Sequence, residues 1–257
     1  MAQPPTEVAL NDAPLVRVLS QLRFPKITAI VKDDFIASFQ EAIRKEYPIL
    51  RPDEGQDILI GLEGVQSQAV KVWRFSDIEG KWRVSLGSEF LAIETVSYTS
   101  RNDFVERLER LLKALKDHIG PQTIDRLGVR YIDRFQGDAY DQLDSLIRGE
   151  VAGILSSELV EFSQQTISES IFRVPDEPWI MAARWGKLPA HATIDPNVLE
   201  PIETESWILD LDVFHAQARP LDVVELTAQV RFFAERIYTF FRWAVTEEFL
   251  LRYGGEK

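Results

Sequence analysis

Apolar and polar residues alternate at the start of the chain, and this alternation predicts a β-strand over residues 15–24 that Pro25 ends. The strand presents four apolar side chains on one face, namely Val16, Val18, Leu22 and Phe24. Over residues 33–47 the apolar positions recur every three or four residues instead, which predicts an amphipathic helix that Pro48 stops. The chain therefore begins with a strand and a helix.

Four more strands and a second helix are predicted in the first half. Alternation predicts the strands near residues 57–61, 65–75, 81–86 and 89–98. Ser100, followed three residues later by Asp103, forms a capping box that begins the helix, and Gly120 ends it. The order of the first half is β-α-β-β-β-β-α.

The second half predicts nearly the same order. Strands are predicted at residues 125–135, 165–174, 179–188 and 206–214. A weak helix at 139–155 follows the first of these strands, and a long loop at 189–201 precedes the last. Asp222 and Glu225 form a second capping box, which begins a long terminal helix. The order is β-α-β-β-β-α, one strand fewer than in the first half.

These two orders predict an α+β protein built from two pseudo-repeated β-α-β(n)-α units. Residues 91–115 and 207–237 both run from an alternating strand through a polar break into an amphipathic helix. We therefore expect a tail at 1–14, a β-α-β4-α unit at 15–121 and a β-α-β3-α unit at 122–257, packed as one globular body. Each unit is expected to be a curved antiparallel sheet covered by a long helix, a helix-grip-like arrangement, because a sheet must bury one face.

Composition narrows the class of protein. The 257 residues are 45% hydrophobic, and 41 acids against 29 bases give a net charge of −12. Such a surface repels phosphate backbones, so non-specific nucleic-acid binding is not expected. The sequence has no cysteine, which excludes disulfides, thiolate catalysis and cysteine-ligated zinc.

No targeting segment or cofactor motif is recognisable in the sequence. Its first residues lack a basic and an apolar region, and no apolar run is long enough to cross a bilayer. We therefore expect a soluble cytoplasmic protein that does not bind membranes. Nucleophile elbows, Walker loops and dinucleotide-binding glycine patterns are also absent. No cofactor is predicted, and an enzyme is not favoured.

The strand at 125–135 carries the first candidate binding site. Arg126, Arg130 and Arg134 have the same parity and point to one face. A row of guanidinium groups can bind a carboxylate or a phosphate bidentately. The alternative, which we favour, is that these arginines form ion pairs with acids of the chain, such as Glu94, Asp210 or Asp212.

Carboxylates and histidines are weaker candidates. Asp210 and Asp212 lie on one face of a predicted strand and are suited in principle to a divalent metal or to acid–base chemistry. Nothing else in the sequence completes such a site, so no metal is predicted and a solvated face or arginine partners are the simpler interpretation. His118, His191 and His215 lack metal-ligand spacing, and only His191, in the long loop, is placed freely enough for catalysis.

Aromatic residues are the other candidates. Five of the six tryptophans fall on predicted strands: Trp73, Trp82, Trp179, Trp185 and Trp207. Trp73 and Trp82 are candidates to line an apolar ligand cavity between sheet and helix, although core filling is the simpler role. The terminal region carries aromatic residues outside its main apolar stripe, namely Phe232, Phe241, Trp243 and Phe249. This wide apolar surface predicts that the helix lies between two sheets or in a homodimer interface.

Most of the chain resembles a known family, and the likeness is best in the first 135 residues. Residues 126–133 read Arg-Leu-Gly-Val-Arg-Tyr-Ile-Asp, which resembles the Arg-x-Gly-x-Arg-Tyr-x-Asn motif of a sporadically distributed family of uncharacterised prokaryotic proteins. Residues 14–25 and 80–104 share the likeness. The resemblance implies a similar size and fold and transfers no catalytic residues. Asp133 stands where the motif has Asn, and it joins the candidate ligand-binding residues.

Three functions follow from these observations. The first is a non-enzymatic protein-interaction module with a protein partner, belonging to a defence or toxin–antitoxin locus. The acidic charge, the lack of catalytic motifs and the sporadic spread of the similar family favour it. The second is a small-ligand-binding protein with an aromatic-lined cavity, and the third is an enzyme that acts on a phosphorylated substrate through Asp210, Asp212 and the arginine row.

Overall fold

The protein has an α+β fold built on one large antiparallel sheet that does not close on itself. The structure is a computed structural model and describes residues 5, 6, 8, 10–61 and 64–254, with backbone alone over 54–61 and 64–70. The predicted α+β class with an antiparallel sheet is therefore confirmed.

The elements before residue 120 follow the predicted order. They are β1 (Leu15–Arg23), α1 (Asp33–Ile43), β2 (Ile49–Gly61), β3 (Gly64–Ser76), β4 (Trp82–Gly87), β5 (Phe90–Thr95) and α2 (Arg101–Ala114). A 3-10 helix at Thr28–Val31 precedes α1, and a π-helical turn at Leu115–Ile119 extends α2. The first strand of the β2–β3 hairpin begins eight residues before the predicted residue 57, because its pairing with β3 extends from Gly61 back to Ile49 through residues of low strand propensity.

The elements after residue 120 are more broken than predicted. They are β6 (Thr123–Ile124), β7 (Arg126–Phe135), α3 (Asp138–Asp141), α4 (Leu143–Leu146), α5 (Gly149–Ala152), β8 (Ser168–Arg173), β9 (Ile180–Leu188), β10 (Ser206–His215), β11 (Arg219–Pro220), α6 (Val223–Ala244) and α7 (Glu247–Arg252). The single helix predicted at 139–155 is wrong. Three one-turn helices stand there, and Gly153 at φ 56° leads into 3-10 turns at Gly153–Ser156 and Glu158–Phe162. None of the described helices combines the length and apolarity that a bilayer crossing requires.

Strand order places β1 and β7, which are far apart in the chain, next to each other at the middle of the sheet. The order is β2-β3-β4-β5-β1-β7-β10-β9-β8, and β6 pairs with β11 in a separate two-stranded sheet. β9 pairs antiparallel with β10, from Leu188 opposite Ser206 to Ile180 opposite Phe214. β8 pairs with β9 on its other side, and β8 is an edge strand of the sheet.

The chain clusters into two compact units, each assembled from several segments. Unit 1 comprises the residues up to Val18, Val129–Phe214 and the residues from Phe232 onward. Unit 2 comprises Leu19–Gly128 and His215–Arg231. These units are clusters in space, so they do not test the sequence boundary predicted between residues 121 and 122.

Helix ends in unit 2 follow the predicted capping. Ser100 Oγ accepts a hydrogen bond from Asp103 N at 3.1 Å. Gly120, in the left-handed conformation at φ 71°, closes the π-helical turn after α2 by donating to Leu115 O. Asp222 Oδ1 accepts from Glu225 N at 3.0 Å at the start of α6. Both predicted capping boxes thus begin a helix.

Both faces of the sheet are buried where β7 and β10 lie in unit 1. On one face Phe135 packs against Trp207 and Phe249, with ring centroids 5.3 and 5.7 Å away. The other face carries the core cluster Ile132, Leu188, Leu199 and Ile208, and Ile194 and Val198 pack against it. The long loop at 189–201 therefore covers the face of β7 that carries Arg130 and Arg134.

Aromatic residues of the terminal region pack within unit 1. Phe232 lies against Trp179, with ring centroids 4.7 Å apart, and Phe241 lies against Phe249 at 5.4 Å. Trp243 packs on Phe240 and remains 42% exposed. Trp179 itself stands one residue before β9 rather than on a strand.

Candidate functional site

Arg130 lies at the centre of an ion network in unit 1. Its Nε donates to Asp210 Oδ1 at 2.7 Å, and its Nη2 donates to Asp210 Oδ2 at 2.9 Å. Arg130 lies on β7 and Asp210 on β10, neighbouring strands of the sheet. The bidentate geometry is the strongest arrangement available to an arginine and a carboxylate.

Two further residues complete the network. Arg130 Nη1 donates to Asp195 Oδ2 at 2.9 Å, and Arg184 Nη2 donates to Asp210 Oδ2 at 2.7 Å. The Asp210 side chain is 1% exposed, whereas those of Asp195 and Arg184 are 27% and 29% exposed. The four-residue ion network thus pairs two arginines with two carboxylates and has no formal net charge.

The loop at 189–201 holds Asp195 over Arg130. Asp195 N donates to Thr193 Oγ1 at 3.2 Å, and Asn197 N donates back to Asp195 Oδ1 at 3.3 Å, so the turn orients the carboxylate. Leu199, 2% exposed, anchors the loop in the core cluster. Apolar burial therefore positions the loop, and the ion pair connects its turn to β7.

Burial alone would disfavour the charge of Arg130. Hydrogen bonds and charges from Asp210 and Asp195 outweigh that desolvation, so the pKa of Arg130 is raised above its ordinary value. The guanidinium stays protonated, and each of its three nitrogens donates to a carboxylate. The predicted pairing of Arg130 with Asp210 is present, and the two aspartates stand where a ligand carboxylate would bind.

Arg134 and Arg126 have different surroundings from Arg130. Arg134 is 7% exposed and donates through Nη1 to Glu200 O at 2.8 Å. Its Nε and Nη2 have no hydrogen-bond partner among the described residues, and burial lowers its pKa. Arg126 belongs to unit 2, where its guanidinium lies over Gly128: a Cβ there would be 2.6 Å from Arg126 Nη1. The glycine of the motif thus leaves room for Arg126.

Asp133 points away from the arginine row because it has the opposite parity on β7. It shares a face with Phe135, is 4% exposed, and has no ion pair or hydrogen bond to a described side chain. Burial raises the pKa of Asp133 to about 7. The structure therefore does not bring Asp133 together with Arg130 in one site.

Trp73 and Trp82 lie in the core of unit 2. Trp73 is 2% exposed and donates from Nε1 to Ile30 O at 2.7 Å. Trp82 is 6% exposed, packs on Phe104, and lies 4.4 Å below the Arg107 guanidinium. Neither indole lines the two clefts described below. A ligand cavity beside these tryptophans stays a prediction.

The remaining predicted residues do not form a metal site within the described part of the chain. No group of three or more histidines and carboxylates there is arranged to hold a metal ion. Both oxygens of Asp210 face arginines, and Asp212 is engaged within the protein as well. His191 is exposed on the loop, with Nε2 3.6 Å from Glu203 Oε2.

The structure shows a polar cluster in unit 1 that the sequence did not predict. Lys187, 7% exposed near the end of β9, lies with Nζ 3.1 Å from Glu205 Oε2, and Tyr140 OH lies 3.3 Å from the same oxygen. Burial opposes the charge of Lys187, but hydrogen bonds to Glu205 and Tyr140 outweigh it and raise the pKa. The only local signal was a lysine in an otherwise apolar strand end.

Two clefts open beside this cluster. One, of about 400 Å³, is lined by Lys187, Glu205 and residues 161–165, among them Phe162. The other, of about 630 Å³, is lined by Tyr140, Glu205 and Asp141, among other residues. Glu205 lines both clefts, so a molecule in either one meets the same carboxylate.

Comparison with known proteins adds no identification to this geometry. No protein-family model matches the chain, and no curated protein is significantly similar to it.

Proposed function

We propose that the protein is a non-enzymatic protein-interaction module that binds its partner through an apolar surface before β8. One observation carries the proposal. Four of the eleven large hydrophobic residues that are exposed in the described structure fall within fourteen residues of the chain, namely Ile154, Leu159, Phe162 and Ile167. We call these four residues the 154–167 surface.

The chemistry of this surface defines the partner. Phe162 is 80% exposed and Leu159 53% exposed, and clustered exposed apolar side chains mark protein interaction sites. Glu158 precedes Leu159, Glu161 lies between Leu159 and Phe162, and both carboxylates are also exposed. The fitting partner is a protein with an apolar depression bordered by lysine or arginine, because such residues complement an acidic rim.

The ion network around Arg130 supports binding over catalysis. A phosphorylated substrate would need a cation to receive its phosphate, yet all three nitrogens of Arg130 already donate to carboxylates. Binding a phosphate there would require Asp210 or Asp195 to be displaced. We therefore interpret the ion network as a structural connection between β7, β9, β10 and the covering loop.

A pull-down with matched surface variants tests the proposal. We expect the wild-type chain and Ile78→Asp to retain one stoichiometric partner from a native lysate, because Ile78 is 82% exposed and lies in unit 2. The double variant Phe162→Asp with Leu159→Asp places two negative charges on the 154–167 surface and should abolish binding of that partner. Equal retention by all three proteins, or no stoichiometric partner, contradicts the proposal. The genes adjacent to this one test the defence or toxin–antitoxin setting.

A second candidate function is small-ligand binding at the Lys187 cluster. The observation in its favour is the pair of clefts that share Glu205, with the ammonium of Lys187 at one of them. The cluster fits a small polar molecule that accepts a hydrogen bond from Lys187 and donates one to Glu205. Ligand-observed NMR with a library of such molecules should detect binders that Lys187→Met loses and the exposed-site variant Lys81→Met keeps. Unchanged spectra for wild type exclude the site.

We also propose that the chain is an internal duplication of a helix-grip-like unit. From the middle of the sheet outward, the strands run β1, β5, β4, β3, β2 on one side and β7, β10, β9, β8 on the other. In both halves the first strand is central, the strand before the closing helix is next to it, and the others follow in reverse order. An alignment of related sequences should show matching apolar positions in β1 and β7, and unrelated patterns there contradict a duplication.

A further inference from the structure

We propose that β8 pairs antiparallel with β8 of a second copy of this chain, centred on Ile171. β8 ends the order of the nine-stranded sheet, so one of its sides has no strand neighbour among the described strands. Its side chains are exposed or half-buried throughout, and Ile171 is 63% exposed. This inference does not depend on the 154–167 surface, whose residues precede β8.

The backbone of β8 has its free hydrogen-bonding groups at odd-numbered residues. Thr166 N donates to Lys187 O and Val174 N donates to Trp179 O, which continues the register of β8 with β9 at both ends. In an antiparallel pair, hydrogen-bonded positions alternate along each strand. Even-numbered residues therefore bond to β9, and the N–H and C=O groups of residues 169, 171 and 173 point to the open edge.

Charge selects the register of the second copy. With Ile171 opposite its own counterpart, Glu169 of each chain lies opposite Arg173 of the other. All three side chains share one face of β8 and are exposed, so the pairing brings two isoleucines together between two complementary ion pairs. Opposite charges directly across strands stabilise a pair, whereas like charges destabilise it.

No other antiparallel register satisfies both charges. A shift of two residues in either direction places Ile171 opposite Glu169 or Arg173 and removes both ion pairs. Within the described chain Glu169 and Arg173 form no ion pair, and Arg184, opposite Glu169 on β9, is bound to Asp210. The central register forms about six backbone hydrogen bonds, two at each of its three bonded pairs. Pro175 ends this ladder because it lacks an N–H.

Charged side chains on an exposed edge strand normally prevent it from pairing with another strand. Here the opposite signs at residues 169 and 173 disfavour shifted registers and favour one antiparallel register with an identical strand. The edge is therefore selective for a second copy of this chain.

Sedimentation velocity over a concentration series tests the dimer. We expect wild type to show a monomer–dimer equilibrium. Glu169→Arg and Arg173→Glu should each raise the dissociation constant roughly tenfold or more, because each reversal places like charges together at two symmetric positions. The double variant restores both ion pairs with reversed polarity and should return the dissociation constant close to the wild-type value.

Mixing the two single variants provides a decisive second arm. Neither should dimerise well alone, but each supplies the charge that the other now needs, so the mixture should form a heterodimer. Val224→Lys, at a residue 81% exposed on α6, is the matched control and should dimerise as wild type does. Circular dichroism checks that each variant is folded.

Three results of the sedimentation experiments would overturn the proposal. They are a wild type that stays monomeric at every concentration, single reversals that leave the dimer unchanged, and a mixture no more dimeric than its components. Hydrogen exchange distinguishes two candidate dimer interfaces, the β8 edge and the terminal helix. Amides of residues 169, 171 and 173 should gain protection with concentration, and protection confined to α6 would also refute β8 pairing.

Discussion

Arg130 and Asp210, eighty positions apart in the chain, form a bidentate ion pair with bonds of 2.7 and 2.9 Å. Removing the aspartate leaves two arginines, Arg130 and Arg184, without their shared carboxylate. Breaking one partner of a buried pair costs about 3–5 kcal/mol, so we expect Asp210→Ala to lower the free energy of unfolding by that amount. Urea denaturation measures the loss.

Asp195 provides the graded control for this experiment. Its side chain is 27% exposed, and Arg130 keeps Asp210 when Asp195 is removed. We expect Asp195→Ala to cost only about 1 kcal/mol. Equal losses for the two variants would show that Asp210 contributes no more to the network than Asp195 does.

Asp133 makes stability depend on pH. Burial raises the pKa of Asp133 to about 7 in the folded chain, whereas an unfolded aspartate titrates near 3.9. The folded state thus holds the proton of Asp133 more tightly. The stability that the protonated Asp133 contributes is fully present below about pH 4 and is lost as pH rises through about 7. We expect this group to account for roughly 4 kcal/mol across that window.

Asp133→Asn isolates the contribution of that carboxyl group. The amide does not titrate, so the stability of the variant relative to wild type should rise by roughly 4 kcal/mol between about pH 4 and pH 8. Denaturant unfolding at several pH values measures the difference. A constant difference across that range would mean that Asp133 is not a buried, unpaired acid.

Position 186 requires glycine because the backbone at Thr166 lies too close to leave room for a Cβ atom. The φ of Gly186 is 152°, and a Cβ there would be 1.8 Å from Thr166 O. Since neither backbone can move without disturbing the β8–β9 pairing, Gly186→Ala should cost more than about 2 kcal/mol. Gly149→Ala meets nothing within 4 Å and should change stability by less than about 0.5 kcal/mol. Thermal unfolding of the two variants gives the comparison.

The cap of α2 gives a smaller, local effect. Ser100 Oγ accepts from Asp103 N, and replacing a capping serine with alanine costs about 1 kcal/mol. We expect Ser100→Ala to show that loss in thermal unfolding, and Ser100→Asp to retain most of the stability because aspartate also caps. Equal destabilisation by both substitutions would argue against a capping role.

Local patterns predicted the elements of this fold well. Alternation placed β1 and β7 within a residue or two of their ends, and the capping residues Ser100 and Asp222 marked the starts of α2 and α6. These signals work because a helix end or a strand face depends on residues a few positions apart. The region of α3, α4 and α5 was predicted poorly, since its short helices depend on contacts beyond the local pattern.

The candidate site was only partly predictable for the same reason. Parity placed Arg130 and Arg134 on one face, but Asp133, which was also a candidate, lies on the opposite face. Asp210 was among the predicted partners, but Asp195 and Arg184 were not singled out. The cluster of Lys187, Glu205 and Tyr140 left almost no local signal, because its members come from three separate segments.

The sequence by itself determined most of the strands and the long helices, which side chains share a face, and where α2 and α6 begin. These are consequences of backbone geometry over a few residues. Only the tertiary structure decided which partners Arg130 meets, that β8 lies at the edge of the sheet, and that the loop at 189–201 covers β7. Those outcomes depend on strand order and on the burial of Ile194 and Leu199, because residues that touch in space have no fixed separation along the chain.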